Sequence, residues 1–360
     1  MSIIIAVIIF SVIVLFHEFG HFSMARLCGV EVLEFSLGMG PRLLSHVSRK
    51  SNTRYSVKLL PFGGSCLMKG EDGDDMTPGA FGTKKIWQRI LIVAAGPVFN
   101  FILAFLFAAI IIGSAGYDAP VPEYLTEDSP LAKAGIVRGD TITSIDGRRI
   151  TIYRDIANYV TFDLDARQSA RTAGAWKAVQ IPVEWEHDGK KMDAMVTLSS
   201  LQGSTASVLG MYGGGRFSAH GNVFVILRYS LYEVKYWIGT TLSSLAMIGR
   251  GRVSVDDVSG PVGIVGAISD TYKETRKEGV FMLFLNMLNM AILLSANLGV
   301  MNLIPFPALD GGRIVLLIVE GIRKKKLGEN IEAYINLAGF AVLMGVMVFI
   351  MFNDIRKIIT

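Results

Sequence analysis

Four stretches of this chain, about 2 to 23, 90 to 113, 282 to 304 and 334 to 352, are each almost wholly apolar. A helix needs roughly 20 such residues to cross the hydrocarbon of a bilayer, and only helices or closed barrels satisfy every backbone group there. With 51% apolar and 18% charged residues over 360 positions, the composition is that of a membrane protein rather than a water-soluble one. The first stretch has no basic leader and no small-residue cleavage site, so it reads as a retained span. The expected fold class is a polytopic α-helical membrane protein with four transmembrane helices.

The charges report topology. Ten Lys and Arg residues, from Arg26 to Arg89, lie between spans one and two, and Arg313 with Arg323 to Lys326 lie between spans three and four. By the positive-inside rule both connections face the cytosol. Both termini and the segment from about 115 to 280 then face outward. A net charge of +4 without a basic patch interleaved with aromatics argues against nucleic acid as a partner. Cys28 and Cys66 fall on the cytosolic side, where thiols stay reduced, and are given no role.

Between spans one and two, EVLEFSLG and RYSVKLLPFGG read as a membrane-associated β-hairpin region within residues 30 to 70. In the external segment, DSPLAKAGIVRGDTITSIDGRRI (128 to 150) resembles the PDZ fold: a capped short helix, a Gly-Asp turn, then a strand and an Asp-Gly hairpin. That resemblance implies an α+β domain with a groove for an extended peptide ligand. From 221 to 250, Val223, Leu227, Leu231, Val234, Ile238, Leu242 and Leu245 trace one helical face. This predicts an amphipathic helix on the outer membrane surface or packed against the bundle. The expected division is therefore 1–114, an N-terminal membrane half; 115–205, an external PDZ-like domain; 206–280, amphipathic helix and linker; and 281–360, a C-terminal membrane half.

The chemistry centres on HEFGH, residues 17 to 21, at the inner end of the first span. Residues four apart share one helical face, so His17 and His21 can offer ring nitrogens to one metal ion with Glu18 adjacent. In zinc hydrolases such a pair holds the metal and the glutamate takes a proton from water. The alternative, a polar cap at a helix end, is disfavoured because ionisable groups within a span cost about 2.5 to 3.5 kcal/mol each at its centre. A catalytic zinc usually has three protein ligands. Positions 24 and 27 hold Met24 and Leu27, His187 and His220 are external, and His46 is expected in a polar loop. Asp310, in NLIPFPALDGGR just past the third span, is the better candidate because topology brings the inner ends of spans one and three to one depth.

HEFGH, NLIPFPALDGGR, the intervening PDZ-like domain and SGPVGI (259 to 264) together resemble the site-2 protease family of intramembrane zinc metalloproteases, in its bacterial RseP-type branch. One PDZ-like domain is found where the best-known member carries two. The resemblance implies one Zn²⁺ per chain on His17, His21 and Asp310, Glu18 as catalytic base, and Asn302, Pro305 and Pro307 helping to hold substrate. It also implies regulated intramembrane proteolysis, in a bacterial inner membrane whose outer side is the periplasm, of single-pass membrane proteins of anti-sigma factor or remnant signal peptide type, with the PDZ-like domain excluding untrimmed substrates. A substrate helix shields its own carbonyls, so the hairpin is expected to take the unwound substrate as an added strand. Gly96, Pro97 and Asn100 are expected to break the second span, and Asn286, Asn289, Ser295, Asn297 and Asn302 give the third a polar stripe. A membrane scaffold that keeps the fold but cleaves little is the alternative from another class, and the complete His, Glu, His and Asp set argues against it. A metal transporter would distribute ionisable groups across the bundle, whereas here they gather at one end.

Overall fold

The computed structural model of the chain describes residues 2–71, 75–164, 179–198, 208–219, 221–252, 259–325 and 328–359. In chain order these form α1 (Ser2–Leu27), β1 (Val32–Val47), β2 (Arg54–Met68), α2 (Ile86–Ala115), β3 (Tyr117–Leu125), α3 (Pro130–Lys133), β4 (Thr141–Ile145) and β5 (Arg148–Arg149). There follow α4 (Tyr153–Asn158), β6 (Val179–His187), β7 (Lys190–Leu198), β8 (Met211–Phe217), α5 (Val223–Gly249), α6 (Pro261–Thr275), α7 (Val280–Leu303), α8 (Asp310–Arg323) and α9 (Glu329–Ile359). The chain divides into two units, Met1–Phe107 with Val253–Thr360, and Ala108–Arg252.

In the first unit, α1, α2, α7 and the Ile331–Lys357 part of α9 are long and apolar enough to cross a membrane. They coincide with the four stretches expected from hydropathy. Only 6% of the apolar window of α9 is buried, leaving an apolar surface of the kind a bilayer covers. Ala6, Ile9 and Ile13 of α1 pack with Leu103, Ile268, Met287, Ala291 and Leu294. A second cluster, including Ala25, Val32, Met68, Ile92 and Leu317, joins the end of α1 to the hairpin, the start of α2 and α8. Far along α9, the buried Asp354 accepts hydrogen bonds from the amides of Gly260 (3.0 Å) and Gly263 (2.8 Å), capping α6 in the SGPVGI stretch.

The hairpin forms as expected, with β1 and β2 antiparallel. Both strands fold back, so that Phe35 and Ser36 face Cys66 and Ser65 on one side and Tyr55 and Ser56 on the other. Gly38 and Gly40 of β1 and Gly63 of β2 make these bends at φ of 85°, 88° and 80°, where a side chain is strained. Glu34 locks the layer: it accepts from Arg42 Nε (2.9 Å) and Nη2 (2.7 Å) and from the Ser56 hydroxyl (2.5 Å). The Arg42 guanidinium holds this carboxyl down at about 2 against the effect of burial, with Ser56 assisting. His46, expected in a loop, lies in β1 opposite Tyr55.

One expectation about helices is corrected. Gly96 and Pro97 do not break the second span: α2 is continuous with Pro97 inside it, since flanking helices offset a missing ladder bond. The apolar stripe of α5, expected on the outer membrane surface or against the bundle, is mostly open, with Val223, Leu227, Leu231 and Leu242 exposed. The buried positions are Ser230, Glu233, Val234 and Thr241. Arg154 pairs with Glu233, Asn158 bonds Thr240 (2.6 Å), and Tyr117 stacks on Tyr229. Periodicity marks an apolar face without saying whether protein or lipid covers it.

The second unit has a two-stranded sheet, β3 with β8, and a four-stranded sheet in the order β5-β4-β6-β7. Its core is built on Leu131, Ile142, Ile145, Ile156, Ile181 and Trp185. Within 128–150 each local expectation is met. Ser129 caps α3 by accepting from the Ala132 amide, Asp140 accepts from the Val137 amide (2.9 Å), and Asp146 and Gly147 turn the β4–β5 hairpin with positive φ. His187 sits here, bonded to Asp140 at 2.6 Å. His220 and the stretches 165–178 and 199–207 lie outside the described residues.

Candidate metal centre

His17 and His21 face the same side of α1, and both are buried, at 7% and 9% exposure. The helix can bring them against α2 because two glycines remove side chains from the crossing. A Cβ on Gly20 would strike the Ala95 carbonyl, and one on Gly96 would lie on His21 Nε2 and 2.7 Å from His17 Cε1. The glycine inside HEFGH is thus a packing requirement, and α2 supplies the opposing one. Five residues before Pro97, the Ile92 carbonyl accepts from His21 Nδ1 at 2.9 Å. That bond places the ring proton on Nδ1 and leaves Nε2 with its lone pair.

Asp310 arrives from the other half of the same unit, as the first residue of α8. The chain reaches it through Ala308 at φ 70°, a left-handed conformation that costs a non-glycine residue on the order of 1 kcal/mol. The two glycines that follow are there for space. A Cβ on Gly311 would meet the carbonyls of Leu303 and Ile304, and one on Gly312 that of Phe306, so α8 starts tight beneath the IPFP turn. Arg313 then clamps α8, donating to Glu71 Oε1 (2.5 Å) and to the Glu71 carbonyl (2.6 Å). Arg89 of α2 makes a bidentate pair with Glu320 further along α8, at 2.6 and 3.0 Å.

The three side chains converge. His17 Nε2 is 3.1 Å from His21 Nε2 and 3.2 Å from Asp310 Oδ2, and His21 Nε2 is 3.6 Å from the same oxygen. Among the described residues these are the three His, Cys, Asp or Glu side chains whose ligand atoms gather closely enough to hold a metal ion. The donor set fits zinc. Ligands at about 2.0 to 2.1 Å in tetrahedral geometry stand roughly 3.3 Å from one another, which matches the three edges of this triangle. Asp310 Oδ2 is also buried without a well-formed hydrogen bond, a costly state for a carboxylate oxygen unless a cation answers it.

Glu18 is half-buried beside this triangle, on the side of β2. Its carboxylate accepts from the Cys66 backbone amide, and a Cβ on Gly64 would come within 3.1 Å of its Cγ. Burial pushes the Cys66 thiol well above its ordinary range, with Glu18 adding to the shift. Asn302, near the end of α7, has its amide nitrogen 3.5 Å from His17 Nε2. Pro305 and Pro307 lie in the turn between α7 and α8, with Pro307 so close to α9 that Gly339 has no room for a side chain.

Residues 5–346 match the sequence model of peptidase family M50. The chain belongs to peptidase family M50. Similarity to individual M50 proteins runs nearly end to end. A protein of Clostridium acetobutylicum that carries a zinc metalloprotease name is 32% identical over 359 residues, covering 98% of this chain and 97% of that one. The Bacillus subtilis protein named regulator of sigma-W protease RasP is 27% identical over 435 residues, covering 98% and 97%. Zinc metalloprotease RasP of Bacillus licheniformis is 27% identical over 439 residues, covering 98% of each. This is the site-2 protease family that the motifs resemble, and the M50 chain is a site-2-type metalloprotease with four candidate membrane-spanning helices.

Sequence reasoning named His17, Glu18, His21, Asp310 and Asn302, all of which lie together. It missed Gly20, Gly311 and Gly312 as spacing residues and read Gly96 as a helix breaker. Small residues within three positions of a ligand are the signal that points to Gly20, Gly311 and Gly312.

Proposed function

We propose that this chain is an intramembrane zinc endopeptidase of bacterial membranes in which His17, His21 and Asp310 hold the metal and Glu18 is the general base. The observation that carries the reading is the triangle of Nε2, Nε2 and Oδ2 atoms with edges of 3.1, 3.2 and 3.6 Å, at the end of a membrane-spanning helix. When bound there, zinc supplies a Lewis acid that polarises a carbonyl and acidifies water. Glu18, its carboxylate steadied by the Cys66 amide, accepts the proton of the attacking water and returns it to the leaving amine nitrogen. The Asn302 amide offers a donor to the carbonyl oxygen as negative charge develops on it.

A peptide bond within a helix is shielded, so the substrate has to be unwound and held extended. The stretch of β2 running past Glu18, with its neighbours in β1, supplies a sheet to which a substrate strand can add. Pro305 and Pro307 stiffen the turn that borders the same end. Val57 lies between Leu37 and Leu44, inside the layer, so Val57→Pro removes ladder bonds from the sheet itself. It is expected to depress cleavage while zinc content stays unchanged.

The substrates are single-pass membrane proteins, of anti-sigma factor or remnant signal peptide type. The name of the Bacillus subtilis relative, a regulator of sigma-W protease, supports the former. Residues 115–205 act as a periplasmic PDZ-like domain that rejects bulky external parts, and the open stripe of α5 rests on the outer membrane surface. The metal centre faces the cytosol and both termini lie outside, a reading that the basic connections support.

The test is cleavage of a tagged single-pass protein in liposomes, with the products located by mass spectrometry. A cut within or next to the span that a chelator abolishes and zinc restores is expected. Cuts confined to the soluble part, or cleavage indifferent to the chelator, would overturn the reading.

A further inference from the structure

Asn100 stands one turn after Gly96 in α2 and is completely buried. Its carboxamide lies against the far side of His17, with the amide nitrogen 3.2 Å from Nδ1 and the amide oxygen buried without a hydrogen-bond partner. The other ring nitrogen of His17, Nε2, faces His21 and Asp310. A neutral imidazole that offers Nε2 to a metal carries its proton on Nδ1. An Nδ1–H opposite an NH₂ group sets donor against donor while the acceptor on the same carboxamide carbon goes unused. The two ends of a carboxamide have the same shape, so hydrogen-bond chemistry decides which end meets the ring. A half turn of the amide leaves packing untouched, gives the oxygen its partner and gives Nδ1–H its acceptor.

We propose that Asn100 is a positioning residue whose side-chain oxygen accepts from His17 Nδ1–H, fixing the tautomer and ring orientation that aim Nε2 at the metal. The inference rests on His17 being a ligand, as proposed above. It gives the two histidines matched supports from one helix, the Ile92 carbonyl for His21 and the Asn100 carboxamide for His17. Groups in this position commonly change metal affinity 10- to 100-fold when removed. The Ser295 hydroxyl bonds the backbone carbonyl of Asn100 at 2.8 Å, so exchanging the side chain spares that link between α2 and α7.

The test uses the full chain in detergent, comparing wild type with Asn100→Leu, Asn100→Asp and His17→Ala. Zinc affinity is measured by chelator competition, and ligand geometry by the visible absorption of the Co²⁺-substituted protein. Asn100→Leu, which keeps the size and loses the acceptor, is expected to weaken zinc about 10- to 100-fold and to alter the Co²⁺ spectrum. Asn100→Asp, which keeps the acceptor, is expected to hold zinc at least as tightly as wild type with a wild-type spectrum. Wild-type affinity and spectrum in Asn100→Leu would overturn the proposal, as would a tenfold loss in Asn100→Asp. The Asp variant alone decides the matter should Asn100→Leu not fold. Undiminished zinc binding by His17→Ala would instead remove the ligand assignment on which the inference rests.

Discussion

Gly96→Ala adds one methyl group at the most crowded point of the centre. The new carbon would stand 2.6 Å from His21 Cε1 and 2.7 Å from His17 Cε1, against about 3.5 to 4.0 Å for comfortable carbon contacts. Roughly 1 Å must therefore be found, by retreat of α2 or by rotation of both imidazoles. Overpacking of this kind costs about 1 to 3 kcal/mol, partly offset by the roughly 1 kcal/mol that alanine gains over glycine inside a helix. Global stability should change little. Misplacement by 1 Å costs on the order of 10²-fold in a catalytic site, so zinc affinity and cleavage should collapse while the protein remains folded. Gly345→Ala is the matched control, because nothing lies within 4 Å of the methyl it would add in α9. The assay pairs zinc titration and cleavage with thermal unfolding in the same detergent. A Gly96→Ala protein that binds zinc and cuts like wild type would refute the packing reasoning.

Gly311→Ala should behave similarly from the other side, since its methyl would press on the Leu303 and Ile304 carbonyls and displace Asp310; zinc retention during chelator dialysis reads the effect. Arg89→Met leaves the Glu320 carboxylate buried without its bidentate partner and should cost about 3 to 5 kcal/mol. Adding Glu320→Leu should recover most of that loss in unfolding temperature. Glu34→Gln should destabilise the protein by about 1.5 kcal/mol at neutral pH, the low end for charge-assisted bonds because Arg42 is half exposed. The folded Glu34 carboxyl titrates at about 2, below the ordinary 4.5, so its stabilisation is complete above pH 4.5 and is lost as pH falls toward 2. The unfolding-temperature gap between wild type and Glu34→Gln should accordingly close between those two values.

Much of the fold was legible because the bilayer imposes so strict a demand on the chain. Each span announces itself by length and apolarity, and the HEFGH spacing survives as a shared helical face. Asp310, nearly 300 residues away, was reachable only because loop charges fixed the depth of the spans. Residues 128–150 were readable for a local reason, since Ser129, Asp140 and Asp146–Gly147 each satisfy neighbouring backbone. What stayed hidden depends on close approach between distant segments. Pro97 reads as a breaker in isolation, yet α2 continues and Ile92, five residues before it, orients His21. Asn100 was visible as a polar residue in a span, but its bond to His17 links positions 83 apart. The Arg89–Glu320 pair bridges 231 residues and leaves no periodic trace.

The most direct measurement compares zinc content and cleavage of a single-pass substrate by wild type and Glu18→Gln. With Glu18 as base and His17, His21 and Asp310 as ligands, both proteins should hold about one zinc per chain, the coordination of a single catalytic site. The variant should cut about 10² to 10⁴ times more slowly. Cleavage by Glu18→Gln within tenfold of wild type, with zinc in place, would contradict the assignment of Glu18 as the base.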